Sequence, residues 1–255
     1  MKPQHILFDM DDTLIHCNIY FDMVLDQFND LLTTWFASYK ISIEAIREKQ
    51  YQIDTIGVAY LGFTADHFPE SLVETYRHFS IMTGRGMDEA EMGELLKLGQ
   101  SVYDREVEPY PDMVETLQAL RDDGHKLYLY TGGVESFQKR KVESVKLGDF
   151  FGERIFVRQH KNAEALEEIL TENQFDRENT WMIGNSMRTD INPALETGIK
   201  AIYVPAIQEW NYNIVELTFE PKVSFFTVPA LKYIPEQIRS YLGGQETATL
   251  ANLQM

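Results

Sequence analysis

The chain has 255 residues, of which 40 are acidic and 23 basic, giving a formal charge of −17. A field of that sign excludes a broad nucleic-acid or anionic-membrane surface, and it repels phosphorylated ligands unless local cations reverse it within the Debye length of about 8 Å. The length suffices for one large or two modest domains, the single cysteine Cys17 excludes an internal disulfide and is expected to be a buried thiol, and without a secretory leader or an apolar run of about 18 residues the expected compartment is the cytoplasm.

The first element is an apolar run, His5-Ile6-Leu7-Phe8, that reads as a strand and delivers Asp9-Met10-Asp11-Asp12-Thr13-Leu14. Side chains alternate faces along a strand, so a strand that ends at Asp9 and then turns can bring Asp9 and Asp11 to one mouth. Two such acids suit a hard cation and an incoming phosphate: Asp9 as metal ligand and nucleophile, Asp11 as the acid for a leaving alkoxide. The plainer alternative is an acidic turn whose carboxylates satisfy loose backbone donors.

Residues 15–108 change period. Met23, Val24, Phe28, Leu31, Leu32, Trp35 and Phe36 recur at helical spacing, and Ser42 can cap a second helix through Ile46. Leu72, Val73, Tyr76 and Phe79 imply a third helix, and Met92, Leu95, Leu96 and Val102 a fourth. The aromatic stripe of the first reads as bundle core, and His67 and His78, lacking metal-like spacing, read as surface or core histidines.

From 109 onward helix and strand alternate in the manner of parallel βαβ units. Pro111 suits the first residue of a helix that stops near Gly124, and the strand from Lys126 ends in Thr131-Gly132-Gly133. Thr131 and the N–H groups after it can hold phosphate oxygens, or Thr131 can serve as a helix cap. A helix reaching Leu147 follows, then strand 155–157. Lys161 comes next, ahead of a helix from Ala163, at a junction where an ammonium could offset phosphoryl charge; Lys139 and Lys141 are its rivals. Strand 181–183 runs into Gly184-Asn185 and a polar loop holding Asp190 before a helix at 191–197; a turn residue and a helix cap are the plain readings of Asn185 and Asp190. Strands 201–204 and 223–228 and a helix from Pro235 to Leu242 complete the series.

D-x-D-x-T after an N-terminal strand resembles motif I of the haloacid dehalogenase superfamily. The Thr131-Gly132 strand end resembles motif II, Lys161 resembles motif III, and Gly184-Asn185 with Asp190 resembles motif IV. Two departures stand out: Asn162 where many relatives have proline after the lysine, and Asn185 in place of the first motif IV aspartate, a change that removes one negative charge. The helical insertion resembles the family's C1 cap. The resemblance implies an α/β fold with a Rossmann-like parallel sheet core in residues 1–14 and 109–242, a helical cap in 15–108, and a flexible tail from 243 to 255. It further implies a Mg²⁺-dependent hydrolase of small phosphorylated metabolites working through an aspartyl-phosphate. Mg²⁺ would be held by Asp9, the main-chain carbonyl of Asp11 and Asp190, with Asn185 a further candidate. Thr131, Gly132 and Lys161 would hold the phosphoryl group, with His16, Asn18 and Tyr20 near the leaving group. The second carboxylate, Asp11, points to phosphate esters over carbon–halogen bonds. A phosphomutase, or a catalytically weak phospho-ligand-binding relative signalled by Asn185, are the alternatives. Nothing in the sequence selects an oligomeric state or a natural substrate.

Overall fold

Every apolar run marked as a strand by the sequence is a strand in the computed structural model, which describes residues 2–253 and side chains through residue 244. The strands are β1 (His5–Phe8), β2 (Lys126–Gly132), β3 (Ile155–Arg158), β4 (Thr180–Gly184), β5 (Lys200–Tyr203) and β6 (Phe225–Thr227). All pair in parallel in the order β3-β2-β1-β4-β5-β6, with Ile6 level with Leu127 on one side and Trp181 on the other. A parallel sheet needs cover on both faces, and the alternation supplies it. Ile6, Phe8, Leu129, Trp181 and Ile183 face one core, while Leu7, Tyr130, Met182 and Ala201 face the other.

Four helices lie in the insertion that follows β1: α1 (Asn18–Trp35), α2 (Ile43–Leu61), α3 (His67–Thr83) and α4 (Glu89–Gln100). They enclose a core of their own around Phe28, Phe36, Leu72, Tyr76 and Leu95. Val24, Phe28 and Leu32 of the α1 stripe, and Phe36 just beyond it, are buried there. Ser42 caps α2 by accepting from the Ala45 N–H at 3.2 Å. Where α3 meets α4, Gly99 has no room for a side chain, since a Cβ would stand 2.5 Å from the Pro69 Cα.

The helices α5 (Met113–Asp122), α6 (Glu135–Ser144), α7 (Gly148–Phe151), α8 (Ala163–Glu172), α9 (Asn192–Glu196) and α10 (Ile234–Leu253) cover the sheet. Two of them differ from the sequence expectation. The helix expected at Pro111 starts at Met113, because Asp112 is left-handed at φ 62°, and the one expected to reach Leu147 breaks into α6 and α7 around Lys146 at φ 57°. The backbone of α10 is helical to Leu253, and the tail expected from 243 falls chiefly on side chains outside the described residues. Among the described residues no helix is long and apolar enough to cross a membrane.

The strand order reverses between β1 and β4, and the crevice beyond the carboxyl ends of those two strands is where open α/β sheets bind ligands.

Candidate active site

Asp9 is the first residue past β1, and its N–H still donates to the Ile183 carbonyl at 2.9 Å, so the sheet ladder fixes its backbone. The chain then folds back on itself. The Met10 carbonyl accepts from Leu14 (2.8 Å) and Ile15 (3.1 Å), and Asp12 takes the left-handed conformation at φ 59°. The Asp12 carboxylate accepts from the Cys17 and Asn18 N–H groups at 3.0 and 2.9 Å, capping α1 and joining the turn to the helical insertion. Burial pushes the Asp12 carboxyl up to about 7.

Asp9 and Asp190, far apart in sequence, meet on one ammonium. Lys161 Nζ donates to Asp9 Oδ1 at 2.6 Å and to Asp190 Oδ1 at 2.5 Å, all three side chains being nearly inaccessible to solvent. Asn162 Oδ1 accepts from the Ala165 N–H at 2.9 Å, capping α8 and seating Lys161 at the mouth of β3. Asp190 is carried by a single π-helical turn, Met187–Ile191, and its second oxygen accepts from the Ser186 N–H at 2.9 Å. A glycine must precede it at 184, where a Cβ would stand 2.2 Å from Asp190 Oδ2. Burial pushes the Asp9 carboxyl up to about 7; Lys161 opposes that and Asp190 adds to it. Burial alone would lower the Lys161 ammonium, and the charges of Asp190 and Asp9 instead hold it above its usual value.

Asp11 turns away from this trio toward α6. Its two oxygens accept from Lys141 Nζ at 2.7 Å and Gln138 Nε2 at 2.8 Å. The same Gln138 nitrogen lies 2.7 Å from Thr131 Oγ1 and 2.8 Å from the Gly132 carbonyl, so one amide links the acid to the end of β2. The three candidate lysines therefore have separate places: Lys161 with Asp9 and Asp190, Lys141 with Asp11, and Lys139 on the surface paired to Glu135 at 2.7 Å. Gln138 is the member of this set that the motifs leave out. Its signal in the sequence is a position three residues before Lys141, which puts both on one face of α6 behind the Thr131-Gly132 turn.

Asn185 Oδ1 accepts from the Thr13 hydroxyl at 3.1 Å, and the Asn185 N–H donates to Thr13 Oγ1 at 3.1 Å. The amide thus ties the β4 loop to the turn after Asp9. His16 packs on Tyr110 with ring centroids 4.4 Å apart, and the Asn18 side chain donates to the Gln208 carbonyl at 2.9 Å. Both line the cavity, as does Tyr20. Cys17 is half-buried and lies 3.8 Å from Lys141 Nζ; burial and the Asp11 charge push its thiol well above the usual value, which leaves it unsuited to act as a nucleophile. His67 departs from the expectation of a plain surface or core residue, because it lines the same cavity with Asp54.

That cavity holds about 500 Å³ between the helical insertion and the sheet. The insertion is fastened over it: the Phe63 N–H donates to the Gln159 carbonyl at 2.8 Å, and the Phe63 ring lies so close to Gly132 that a Cβ there would be 2.6 Å from it. Arg140 adds a bond to the Tyr103 carbonyl at 2.7 Å. As a donor set for a cation the site offers oxygen alone. Two carboxylates against one ammonium leave a surplus negative charge in a buried place. No group of three His, Cys, Asp or Glu side chains suited to a metal is present among the described residues. Two carboxylates with carbonyl and water oxygens fit Mg²⁺, which retains waters and is usually held by one or two acids plus substrate phosphate.

A family model described as haloacid dehalogenase-like hydrolase matches residues 3–198. The chain belongs to that family. Among relatives of this hydrolase is the glyceraldehyde 3-phosphate phosphatase of Methanothermobacter thermautotrophicus, 26% identical over 215 residues that span 78% of this chain and 84% of the relative. Pyrophosphatase PpaX of Halalkalibacterium halodurans is 24% identical, over 80% of this chain and 84% of its own. A haloacid dehalogenase-like hydrolase from Xanthomonas campestris superposes with a TM-score of 0.77 at 23% identity, covering 96% of this chain and 94% of that one, and so shares its fold.

Proposed function

We propose that this hydrolase is a Mg²⁺-dependent phosphohydrolase that cleaves small phosphate monoesters through a phosphorylated Asp9. The observation that supports it best is the meeting of Asp9 and Asp190 on Lys161, with the Asp11 carboxyl held at the edge of the same cavity by Lys141 and Gln138. The two similar phosphatases act on compounds with the required phosphoryl group.

Asp9, Asp190 and the Asp11 main-chain carbonyl would hold Mg²⁺, which when bound supplies Lewis-acid neutralisation of phosphoryl oxygens. Asp9 attacks phosphorus in line, forming an acyl-phosphate bond as the ester P–O bond breaks. Asp11 gives its proton to the departing alkoxide. Thr131, the N–H groups after it and Lys161 stabilise the equatorial oxygens. Asp11, now a carboxylate, takes a proton from water as that water attacks phosphorus; the bond to Asp9 breaks and phosphate leaves. The helical insertion, as a cap, keeps other water out during the first transfer.

The test is phosphate release from p-nitrophenyl phosphate and a panel of metabolite phosphates, with Mg²⁺, with EDTA, and with Asp9→Asn. Asp9→Asn and EDTA should each lower turnover at least about 1,000-fold, the scale of losing a nucleophile or its electrostatic support. Wild type as inert as Asp9→Asn on the whole panel would refute the proposal in favour of a phospho-ligand-binding protein, and sugar phosphate isomerised without free phosphate would indicate a mutase.

A further inference from the structure

The cavity above Asp9 is larger and more apolar than a phosphoryl site needs. Its 500 Å³ falls within the roughly 300–1,000 Å³ range of pockets that enclose drug-sized ligands. The charged groups lie at one part of it, around Asp9, Lys161 and Asp11. Elsewhere it is lined by Phe21, Leu25, Phe63, Phe68, Tyr103 and Phe137. These rings form a connected set: Phe21 meets Phe68 edge-on at 4.8 Å and Tyr103 at 6.1 Å, and Tyr103 stacks on Phe137 at 5.2 Å. Phe21, Phe63, Tyr103 and Phe137 line that space and are only half-buried.

Three of the four lysines and arginines that line the cavity among the described residues are already engaged. Lys161 serves Asp9 and Asp190, Lys141 serves Asp11, and Arg140 bonds the Tyr103 carbonyl while lying over the Phe137 ring at 4.9 Å. The fourth, Arg105, is exposed to solvent, where an ion pair contributes little. The buried part of the site therefore matches a substrate whose charge ends with its phosphate.

One polar pair interrupts the apolar wall. Asp54 of α2 is buried, its Oδ1 lies 3.4 Å from His67 Nε2, and that nitrogen also lies 2.8 Å from the Asp54 carbonyl. The imidazole is accommodated by Gly57, where a Cβ would stand 1.8 Å from His67 Cε1. Burial pushes the Asp54 carboxyl up to about 6, with His67 opposing. A carboxyl in such a wall favours a ligand that brings a hydrogen-bond donor to it.

We infer that the substrate is a phosphate ester bearing an aromatic body, received between Phe21, Phe63 and Tyr103, with a hydroxyl or amine donor that Asp54 accepts. The inference rests on the phosphohydrolase reading for its chemistry, but it concerns the leaving group and can fail separately.

The test compares glycerol 1-phosphate, benzyl phosphate and 3-(hydroxymethyl)benzyl phosphate, all esters of primary alcohols. Dissociation constants are measured by calorimetry on the Asp9→Asn protein with Mg²⁺, and phosphate release on wild type. Benzyl phosphate should bind at least tenfold more tightly than glycerol 1-phosphate, a difference of about 1.4 kcal/mol, and the hydroxymethyl compound more tightly again. Phe21→Ala should reduce the benzyl-to-glycerol ratio at least fivefold, and Asp54→Leu should remove the added gain from the hydroxymethyl group. Equal affinities, or a preference for glycerol 1-phosphate, overturn the inference whether or not any ester is hydrolysed. A benzyl preference in binding without phosphate release upholds it while refuting the phosphohydrolase reading. The affinity ratios on the Asp9→Asn protein distinguish these outcomes by themselves, so misfolding of either cavity variant leaves the test intact.

Discussion

Gln138→Leu isolates the link between Asp11, the proposed acid, and the end of β2. Gln138 is 3% exposed, and its amide nitrogen is shared by Asp11 Oδ2, Thr131 Oγ1 and the Gly132 carbonyl. Leucine fills nearly the same volume but donates nothing, leaving at least two acceptors without that partner. An unpaired buried polar group costs about 1–3 kcal/mol, so an overall stability loss of about 2–4 kcal/mol is expected in urea or thermal unfolding. The catalytic effect separates from this. Asp11 keeps Lys141 at 2.7 Å but loses the contact that orients its second oxygen toward Thr131. Since general acid catalysis is worth about 10²–10⁴-fold, partial misplacement of the acid should lower kcat/KM, which reports the transfer to Asp9, about 10- to 100-fold for an alkyl phosphate. p-Nitrophenyl phosphate, whose leaving group departs without a proton, should lose far less in kcat/KM, while hydrolysis of phospho-Asp9, for which Asp11 is the proposed base, slows alike for both. Steady-state kinetics on the two esters decide the matter. If kcat/KM falls by the same factor for both, Gln138 does not act through the acid, and if neither falls, Gln138 does not position Asp11.

Three further outcomes follow from the packing and the charges. Mg²⁺ should raise the thermal stability of wild type, by about 2.7 kcal/mol at 100 times its dissociation constant, and Asp190→Ala should abolish the rise in a melting experiment; an unchanged shift would place the ion elsewhere. Gly99→Ala should destabilise the protein by about 1–3 kcal/mol, because the new methyl meets the Pro69 backbone at 2.5 Å and the alanine helix preference of about 1 kcal/mol is the smaller effect; a gain in urea midpoint would contradict the tight α3–α4 contact. Asp54, raised by burial from 3.8 to about 6, binds more protons folded than unfolded between those values, so its contribution to stability is full below about pH 4 and is lost as pH rises through 6. Asp54→Asn should flatten that part of the stability-versus-pH curve, and an unchanged slope would show the carboxyl to be solvated.

What could be read from the chain was whatever local physics decides. The sheet was legible because its strands are short apolar runs whose carboxyl ends lie at Phe8-Asp9, Thr131-Gly132 and Gly184, and a parallel strand must put that end at the crevice. The helical insertion was legible from the spacing of Phe28, Leu32 and Phe36, all of which are buried against Tyr76 and its neighbours. Other features depend on how separate pieces dock. Lys141 and Lys161 both precede or follow strands in ways that would suit a site, and only the packing of α6 sends one to Asp11 and leaves the other to Asp9. Asn185 stands at a ligand position by spacing, yet its amide oxygen is engaged with Thr13. Asp54, His67 and Phe63 carry no periodic signal of their own, because their place on the cavity arises from the insertion closing onto Gln159 and Gly132.

The two lysines also explain how chemically identical side chains can be given different surroundings in one cavity. Asp9, Asp11 and Asp190 would repel one another if left together, and a chain of charge −17 offers no general relief. Lys161 draws Asp9 and Asp190 into one buried group suited to a nucleophile and a cation. Lys141, with Gln138, holds Asp11 apart from that group. In the proposed mechanism environment, and not residue type, then separates nucleophile from acid. Lys141 and Gln138 both belong to α6, so in that proposal the separation depends on the placement of this one helix.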